Sequence, residues 1–268
     1  MRQRLLVFLT LAAVCASHTA PAQTAHDVSA YLATARSVTG SEATVVDAPM
    51  LGDTVNVFGI QALYTHVTFG DFGETPFGAE RADLFGGALF GSLLGGRLGL
   101  TGSAGYLVPD CPIGIVCRGN GSAGASATLR LANAAMGDSA GRVTLSLRAA
   151  GAWSFDAGSD RYTSATVGAP IAFSAGEGNY RIAMFVSPGL AWGSLKTRLL
   201  VLEDEGSFFQ PFNHSGTRGM LSGGLGFMPD RGGIGLHLGF EKVFMTRGGA
   251  QYGAAITWSG AARAAPGR

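Results

Sequence analysis

Apolar residues alternate with small or polar residues along most of the chain after about residue 50. In residues 97–108, one side of an extended strand would carry Leu98, Leu100, Ala104, Tyr106 and Val108, and the other Arg97, Thr101 and Ser103. In residues 142–155, the same division separates Val143, Leu145, Leu147, Trp153 and Phe155 from Arg142, Ser146, Arg148 and Ser154. A period of two predicts β-strands with one apolar side.

The same pattern, less evenly developed, brings the number of predicted strands to ten. The further segments are 54–68, 82–93, 121–133, 161–174, 180–194, 217–228, 233–244 and 250–258. Strands of about ten to fourteen residues are longer than those of soluble sheets and match tilted strands that cross a bilayer. The pattern therefore predicts membrane-spanning strands.

The alternation is irregular in some of these segments. In the first, Phe58 and Leu63 fall on opposite sides, and in the second, Leu84 and Phe85 are adjacent. Prolines interrupt the segments 161–174 and 180–194, and a sheet tolerates proline only at a bulge or where the missing amide hydrogen faces no partner. Their registers are left open by the sequence.

The predicted connections indicate an orientation. Those at 94–96, 134–141, 175–179 and 229–232 are short, whereas those at 69–81, 109–120 and 195–216 are long. Transmembrane barrels have short periplasmic turns, longer external loops and both chain ends in the periplasm. Two connections that this scheme places outside, 156–160 and 245–249, are short as well. We expect the longest connection, 195–216, to form a hairpin above the membrane rather than a ligand site.

Aromatic residues concentrate near the predicted strand ends, where rings prefer the membrane–water interfaces. At the outer ends are Tyr106, Trp153, Phe155, Trp192 and Phe240, and at the inner ends Phe173, Phe227 and Trp258. A soluble sandwich would place its largest rings centrally. The sequence therefore predicts an all-β, antiparallel up-and-down transmembrane barrel over residues 53–258, with a soluble β-sandwich or periplasmic lipid carrier as the structural rival.

The amino terminus is typical of a secretory signal peptide. Arg2 and Arg4 precede an apolar run, and the small residues Ala20-Pro21-Ala22 predict cleavage after Ala22. The run is too short to cross a bilayer as a helix. Lipidation of Cys15 is disfavoured, because Val14 fills a position where lipoprotein signals want a small residue. Residues 23–52 are expected to form a periplasmic arm rather than a plug, with an extra strand through 43–50 as an alternative.

Composition narrows the class of protein. The chain has 19 basic and 18 acidic residues, and removal of the signal peptide leaves it close to neutral, which argues against nucleic acid as a partner. Its 42 glycines favour strands and turns over helices, and with 47% hydrophobic and 14% charged residues it is too apolar for disorder.

Two cysteines remain in the mature chain, Cys111 and Cys117, in a predicted external loop. In an oxidising compartment we expect them to form a disulfide that clips this loop. Free thiols or a metal site are the alternatives, although no other cysteine or histidine lies nearby in sequence.

The last strand resembles the terminal signal of outer-membrane β-barrel proteins. Gln251, Gly253, Ile256 and Trp258 fill its polar, glycine, hydrophobic and aromatic positions. The resemblance implies insertion by the barrel assembly machinery, which recognises such a strand. More widely, about residues 50–258 resemble the small, single-chain outer-membrane barrels of Gram-negative bacteria. Members of this class end at the aromatic residue, whereas residues 259–268 follow it here and are expected to form a disordered tail.

Several charged residues fall on the predicted inward side. They are Arg97, Arg130, Arg142, Arg148, Arg181, Arg218, His237 and Glu241. Small barrels are filled largely by their own side chains, so a filled lumen is favoured over a narrow, porin-like channel that prefers anions. No serine or second acid is fixed beside His237 and Glu241, and no acid orients His214 and Ser215, so we expect no catalytic, cofactor or metal site.

These expectations combine into a functional hypothesis. The chain is predicted to be a non-enzymatic outer-membrane barrel, secreted through the periplasm, with a structural or interaction role for its external loops. Outer-membrane lipid and the assembly machinery are its expected partners, and the ligand of the loops is not specified by the sequence. The alternatives are an anion-preferring pore with an arginine-rich lumen and, less favoured, a barrel enzyme that acts on lipid or peptide.

Overall fold

The computed structural model describes residues 57–68, 81–110, 120–136, 141–155, 161–177, 180–203, 206–229, 232–244 and 250–261. These residues form eleven strand segments: β1 (Val57–Thr68), β2 (Arg81–Leu93), β3 (Leu98–Asp110), β4 (Asn120–Ala135), β5 (Arg142–Phe155), β6 (Arg161–Gly168), β7 (Ile171–Glu177), β8 (Tyr180–Glu203), β9 (Gly206–Pro229), β10 (Gly232–Val243) and β11 (Ala250–Ala261). Within these ranges no helix is long and apolar enough to cross a membrane. The predicted signal peptide, residues 23–52 and the cysteine loop lie outside the described residues.

The strands close into an antiparallel barrel. Neighbours along the chain pair with each other, and β1 pairs with β11 from Val57–Ala261 to Thr68–Ala250. β6 and β7 are two parts of one interrupted strand, since both lie between β5 and β8. The barrel therefore has ten strands, and the predicted fold class and strand number are confirmed.

Apolar side chains cover the outer surface of the barrel, and polar ones face inward. On β10, Leu236 and Leu238 are 47% and 50% exposed, while His237 and Glu241 on the opposite side are 1% exposed. A soluble sandwich would bury the apolar side instead, so that rival is wrong. The predicted orientation of the alternating segments is confirmed.

The irregular pattern of the first two predicted strands has a structural cause. Phe58 and Phe85 lie on the outer surface, whereas Leu63, Val67 and Leu84 are buried on the inner side. In this sector apolar side chains share the lumen with the polar Gln61 and Thr65. Apolar residues therefore occur on both sides of the wall, which weakens the alternation in the sequence.

The two prolines lie beside each other at the break between β6 and β7. The Ser146 amide donates a hydrogen bond to the Pro170 carbonyl, and the Ala169 amide donates one to the Pro188 carbonyl, each at 2.9 Å. The ladder thus continues across the break by means of carbonyls, which proline retains. The neighbouring Gly189 allows close approach, because a Cβ there would collide with the Val167 carbonyl.

Several predicted boundaries change in the structure. β8 and β9 continue through most of the expected loop 195–216 and pair as far as Glu203 and Gly206, which agrees with the expected hairpin. β11 extends to Ala261, so the tail predicted from residue 259 begins at least three residues later. β3 begins at Leu98, which places Arg97 in the preceding turn.

Aromatic rings border the apolar band at both ends. Toward the chain termini, Tyr180 stacks on Phe227 with a centroid separation of 4.8 Å, and Trp258 is exposed. At the opposite end, the ring centroids of Tyr64 and Phe85 are 5.3 Å apart. The exposed aromatic residues at this end also include Tyr106, Trp153, Trp192 and Phe240. The Phe155 side chain lies outside the described part. An apolar band between two aromatic girdles is the outer surface of an outer-membrane β-barrel.

Candidate functional site: the lumen and the projecting ribbon

Short hydroxyl and amide side chains line much of the lumen. The buried ones are Gln61, Thr65, Ser92, Thr101, Ser122, Ser126, Thr128, Thr144, Ser146, Ser164, Thr166, Ser174, Ser187, Ser222, Gln251, Thr257 and Ser259. Gln61 donates from Nε2 to the Oγ1 of Thr257 at 3.2 Å, which joins β1 to β11 inside the barrel. These side chains can bind water or each other, as buried polar groups require.

Arg148 is the largest fully buried side chain and projects inward from β5. It is 1% exposed, and its Nη2 donates a hydrogen bond to the Oγ of Ser126 at 3.1 Å. Arg148 is paired with Thr128 on β4 and with Gly168 on β6, so both neighbouring strands carry a small residue beside it. A buried guanidinium must be satisfied by polar neighbours, and the Ser126 hydroxyl supplies one of them.

His237 and Glu241 share the inner side of β10 but lie in different layers of the lumen. Gly239 separates them, and four residues along a strand correspond to roughly 13 Å. His237 is paired with Gly226 and Ala255, Glu241 with Ser222 and Gln251. Neither ring nitrogen of His237 has a hydrogen-bond partner among the described residues.

His237 and Glu241 are not part of a metal-binding cluster in the described part of the chain, which contains no group of three His, Cys, Asp or Glu side chains placed to hold a metal ion. His214 pairs with Leu195 in the β8–β9 ladder, eight residues along β9 from Ser222. A serine that the sequence spacing did not indicate, the buried Ser222, is opposite Glu241 on β9.

The described lumen is packed rather than open. Seven large side chains are less than 2% exposed: Arg148, Leu84, Met220, His237, Gln251, Glu241 and Val67. A channel filled with water would leave the side chains along its wall accessible to solvent. Apolar groups contribute to the filling in two clusters, one formed by Ala172, Ala183, Phe185 and Met228, and the other by Ala191, Met220 and Val243.

Of the predicted lumen arginines, Arg97 lies in the turn before β3, and Arg130 of β4 contacts the same turn. Arg97 is exposed and donates from Nε to the Arg130 carbonyl at 3.4 Å, while Nη2 of Arg130 donates to the Gly95 carbonyl at 3.3 Å. The turn contains left-handed residues at Leu94, Gly95 and Gly96, so β3 starts only after Arg97. The expectation that Arg97 lines the lumen is wrong for this reason, and the Arg97 and Arg130 side chains instead contact backbone at the end of the barrel that carries the chain termini.

The remaining predicted arginines lie near the ends of the barrel and are half-buried. Arg142 begins β5 and Arg181 is the second residue of β8, both at the end that carries the chain termini. Arg218 lies toward the other end, where Nη1 donates to the Thr217 carbonyl at 2.9 Å. The described arginines therefore do not form one continuous path along the lumen.

The residues of the terminal motif lie in the strand that closes the barrel. Ile256 and Trp258 are 59% and 56% exposed on the outer surface, whereas Gln251 is buried in the lumen. Gly253 pairs with Thr65 of β1. Cys111 and Cys117 lie outside the described residues, and their pairing remains a prediction.

A cluster that the sequence analysis did not identify lies on the outer surface, near the external end. Both Tyr64, through its hydroxyl, and His66, through Nδ1, hydrogen-bond to the same oxygen of Asp83, each at 2.9 Å. In the sequence, His66 and Asp83 fall on the outward side of their strands although they are polar. This mismatch is the signal that could have identified the cluster. They mark the level at which the apolar band ends.

β8 and β9 extend beyond the barrel as a two-stranded ribbon. β6 pairs with β8 only as far as Lys196, and β10 pairs with β9 only from Met220. The β8–β9 ladder nevertheless continues to Glu203 and Gly206. We call residues 197–203 of β8 and 206–212 of β9 the projecting ribbon, which emerges from the end opposite to the chain termini.

The barrel is similar to several solved bacterial structures. They include the N-terminal barrel domain of OprF from Pseudomonas aeruginosa, with 12% identity over 76% of this chain and 96% of that chain and a TM-score of 0.33. The outer-membrane protease OmpT from Escherichia coli has 9% identity over 83% and 100%, with a TM-score of 0.42. Ail from Yersinia pestis has 11% identity over 77% and 97%, with a TM-score of 0.32. No protein-family model matches the sequence, and neither does any curated protein.

Proposed function

We propose that this chain is a non-enzymatic barrel of the bacterial outer membrane that does not conduct ions and that holds the projecting ribbon outside the cell for interaction. A signal peptide over residues 1–22 would direct it to the periplasm, and the assembly machinery would read its last strand. Outer-membrane lipid would surround the apolar band. The ribbon is the observation on which the proposal depends, because it is the largest departure from a minimal barrel.

The packed lumen supports a role without conduction. Arg148, which an anion pathway would use, is 1% exposed. Selective channels need a wall that the ion can reach. His237 and Glu241 are four residues apart on β10, which corresponds to a separation of roughly 13 Å and supports a role without joint acid–base catalysis by this pair.

Conductance in planar bilayers tests the first part of the proposal. The purified barrel is expected to give no steady current. A steady anion-selective current that decreases in Arg148→Ala, but not in Arg97→Ala, would overturn it in favour of a pore, since only Arg148 lies in the lumen. A hydrolytic activity that is lost in His237→Ala would likewise replace it with an enzyme.

Surface labelling tests the second part. Glu203→Cys lies at the end of β8 in the ribbon and Arg97→Cys in a turn at the opposite end of the molecule. A membrane-impermeant maleimide applied to intact cells should label the first variant and not the second, with the wild-type chain giving the background from its native cysteines. Labelling of Arg97→Cys alone would invert the orientation and end the proposal.

A further inference from the structure

The imidazole of His237 is buried in the lumen without a polar partner. The residue is 1% exposed, and neither ring nitrogen has a hydrogen-bond partner in the described part of the chain. A neutral imidazole carries one N–H donor and one acceptor, and a buried polar group without a partner costs free energy. Buried polar side chains are normally hydrogen-bonded. Packing alone therefore does not account for a histidine at this position.

The wall around His237 consists of small residues. The inner positions next to it hold Gly226 and Ala255 on the neighbouring strands and Gly235 and Gly239 on β10 itself. The Met228 side chain lies over Gly235, at 3.4 Å from the place that a Cβ would occupy there. On the other side, no side chain of β10 hinders a turn of the ring toward Gly239. The ring can therefore change its position without a change in the wall.

Arg148 lies at the level of His237 across the lumen. From His237, successive paired positions lead through β11, β1, β2, β3 and β4 to Ser154 of β5 in six steps. In the other direction they lead through β9, β8 and β7 to Arg142 of β5 in four steps. Paired positions climb around a barrel because its strands are tilted. The position of β5 level with His237 is therefore about two-fifths of the way from Arg142 to Ser154, beside Arg148.

The charges around His237 determine what a proton on its ring would meet. Arg148 is a permanent cation, and its Nη2 donates to the Ser126 hydroxyl. Glu241 is the one acidic residue at an inner position of the described wall strands, and it lies roughly 13 Å along β10 from His237. The other inner charges lie near the ends of the barrel and are Arg130, Arg142, Arg181 and Arg218. A proton on His237 therefore adds a second cation opposite the first.

We propose that His237 is a pH-dependent switch of the lumen, which is closed while the ring is neutral and opens to water and small anions when the ring takes up a proton. A histidine in water becomes protonated below about pH 6.5. The protonated ring has two donors and faces a guanidinium, so acid favours an arrangement in which water lies between the two groups. The opened path carries anions, because both groups at its centre are cations.

The wall of the barrel stays intact in the open state. Its ladder closes through β1 and β11 by backbone hydrogen bonds, which do not involve the lumen side chains. Arg148 is flanked by Thr128 and Gly168, so both cations can move along the wall past small neighbours. Their separation opens the centre of the lumen without breaking the sheet. This inference goes beyond the proposed function, whose silent barrel is the neutral state.

Conductance in planar bilayers at two pH values tests the switch. The purified full chain is expected to give no steady current at about pH 8 and a steady, anion-selective current at about pH 5. His237→Gln keeps a polar side chain but cannot take up a proton, and it should lose the current at the lower pH. His66→Gln, on the outer surface, is the matched control and should conduct in acid as the wild type does.

Urea unfolding in vesicles separates the switch from a folding defect. At about pH 8, His237→Gln should unfold close to the wild-type midpoint. The wild-type midpoint should decrease toward about pH 5, because acid favours every state in which the ring can take up a proton. This decrease should be smaller in His237→Gln and unchanged in His66→Gln.

The outcomes distinguish this inference from the proposed function. Silence of the wild type at both pH values, or an acid-induced current that persists in His237→Gln, would overturn the switch and leave a barrel that is silent at neutral pH. A steady wild-type current at about pH 8 that acid does not increase would overturn both. A current at that pH that acid increases only in chains with His237 would overturn the proposed function and retain the switch.

Discussion

β8 and β9 pass through two environments, and their sequences differ accordingly. Within the barrel, Ile182, Met184 and Val186 are exposed on the lipid side, while Ala183 and Phe185 are buried. In the projecting ribbon the alternation ends, and β8 carries four consecutive apolar residues at 199–202. The backbone is extended and paired in both parts. The period of two is therefore imposed by different media on the two sides of the wall and is not a requirement of the strand.

The two regions also differ in how they are held. A strand in the wall has a partner on each side, and closure through β1 and β11 leaves the wall without an edge. In the ribbon, each strand has one described partner. We therefore expect substitutions in the wall to affect folding and those in the ribbon to affect interaction.

The largest effect is expected when a charge is placed on the lipid side of the wall. Leu238→Arg, in the middle of β10, should lower the free energy of unfolding in lipid by about 2–4 kcal/mol, because the guanidinium would lie in hydrocarbon. Leu199→Arg, in the ribbon, should change it by less than about 0.5 kcal/mol. Urea unfolding in vesicles, followed by tryptophan fluorescence, measures both. Equal losses would contradict the difference in environment.

A smaller loss is expected from removing the buried guanidinium. Arg148→Met keeps much of the side-chain volume but removes the hydrogen bond to Ser126, and should cost about 1.5–3 kcal/mol, as for other bonds to charged groups. Arg198→Met in the ribbon is the control and should be nearly neutral. The same unfolding measurement applies. If Arg148→Met were neutral, the lumen would contain enough water to replace the bond.

Substitution of two glycines by alanine compares the packing on the inner side of the wall with that on the outer side. A Cβ at Gly59 would collide with the Phe90 ring inside the lumen, whereas one at Gly102 would meet no atom within 4 Å on the outer surface. Gly59→Ala should therefore cost about 1–3 kcal/mol by overpacking. Gly102→Ala should be neutral or stabilise by up to about 1 kcal/mol, because it restricts the unfolded chain. Thermal unfolding monitored by gel mobility gives the order, and a reversed order would mean that the lumen is loosely packed near Phe90.

The smallest effect is expected at the boundary between the two environments. Asp83→Asn weakens the cluster with Tyr64 and His66, whose side chains are partly exposed, and should cost about 0.2–1 kcal/mol. Tyr64→Phe, which leaves the His66–Asp83 pair in place, should cost less. Urea midpoints of both variants provide the comparison. A loss of several kcal/mol would indicate that this level is buried in lipid.

The lumen illustrates where prediction from sequence stopped. Inward position could be assigned to Arg148, His237 and Glu241, because period two fixes the side of a strand. It could not be known that Arg97 would leave the strand, since the left-handed turn at Leu94–Gly96 takes up the residues before β3. The bond to Ser126 depends on β4–β5 register, and the Tyr64–Asp83–His66 cluster on β1–β2 register. Both are properties of strand pairing.

By itself, the sequence determined the fold class, the ten strands and the side of the wall on which most residues lie. It could do so because residues that face lipid are apolar and residues that face the lumen are mostly small or polar. This alternation can be read from neighbouring residues alone. Only the tertiary structure decided that the described lumen is packed, that of the two predicted strands interrupted by a proline only the one with Pro170 is broken, and that β8 and β9 continue beyond the barrel. These features arise from contacts between strands. Where a strand extends beyond the barrel, it no longer has lipid on one side and the lumen on the other, so its sequence lacks the period of two from which a strand can be predicted.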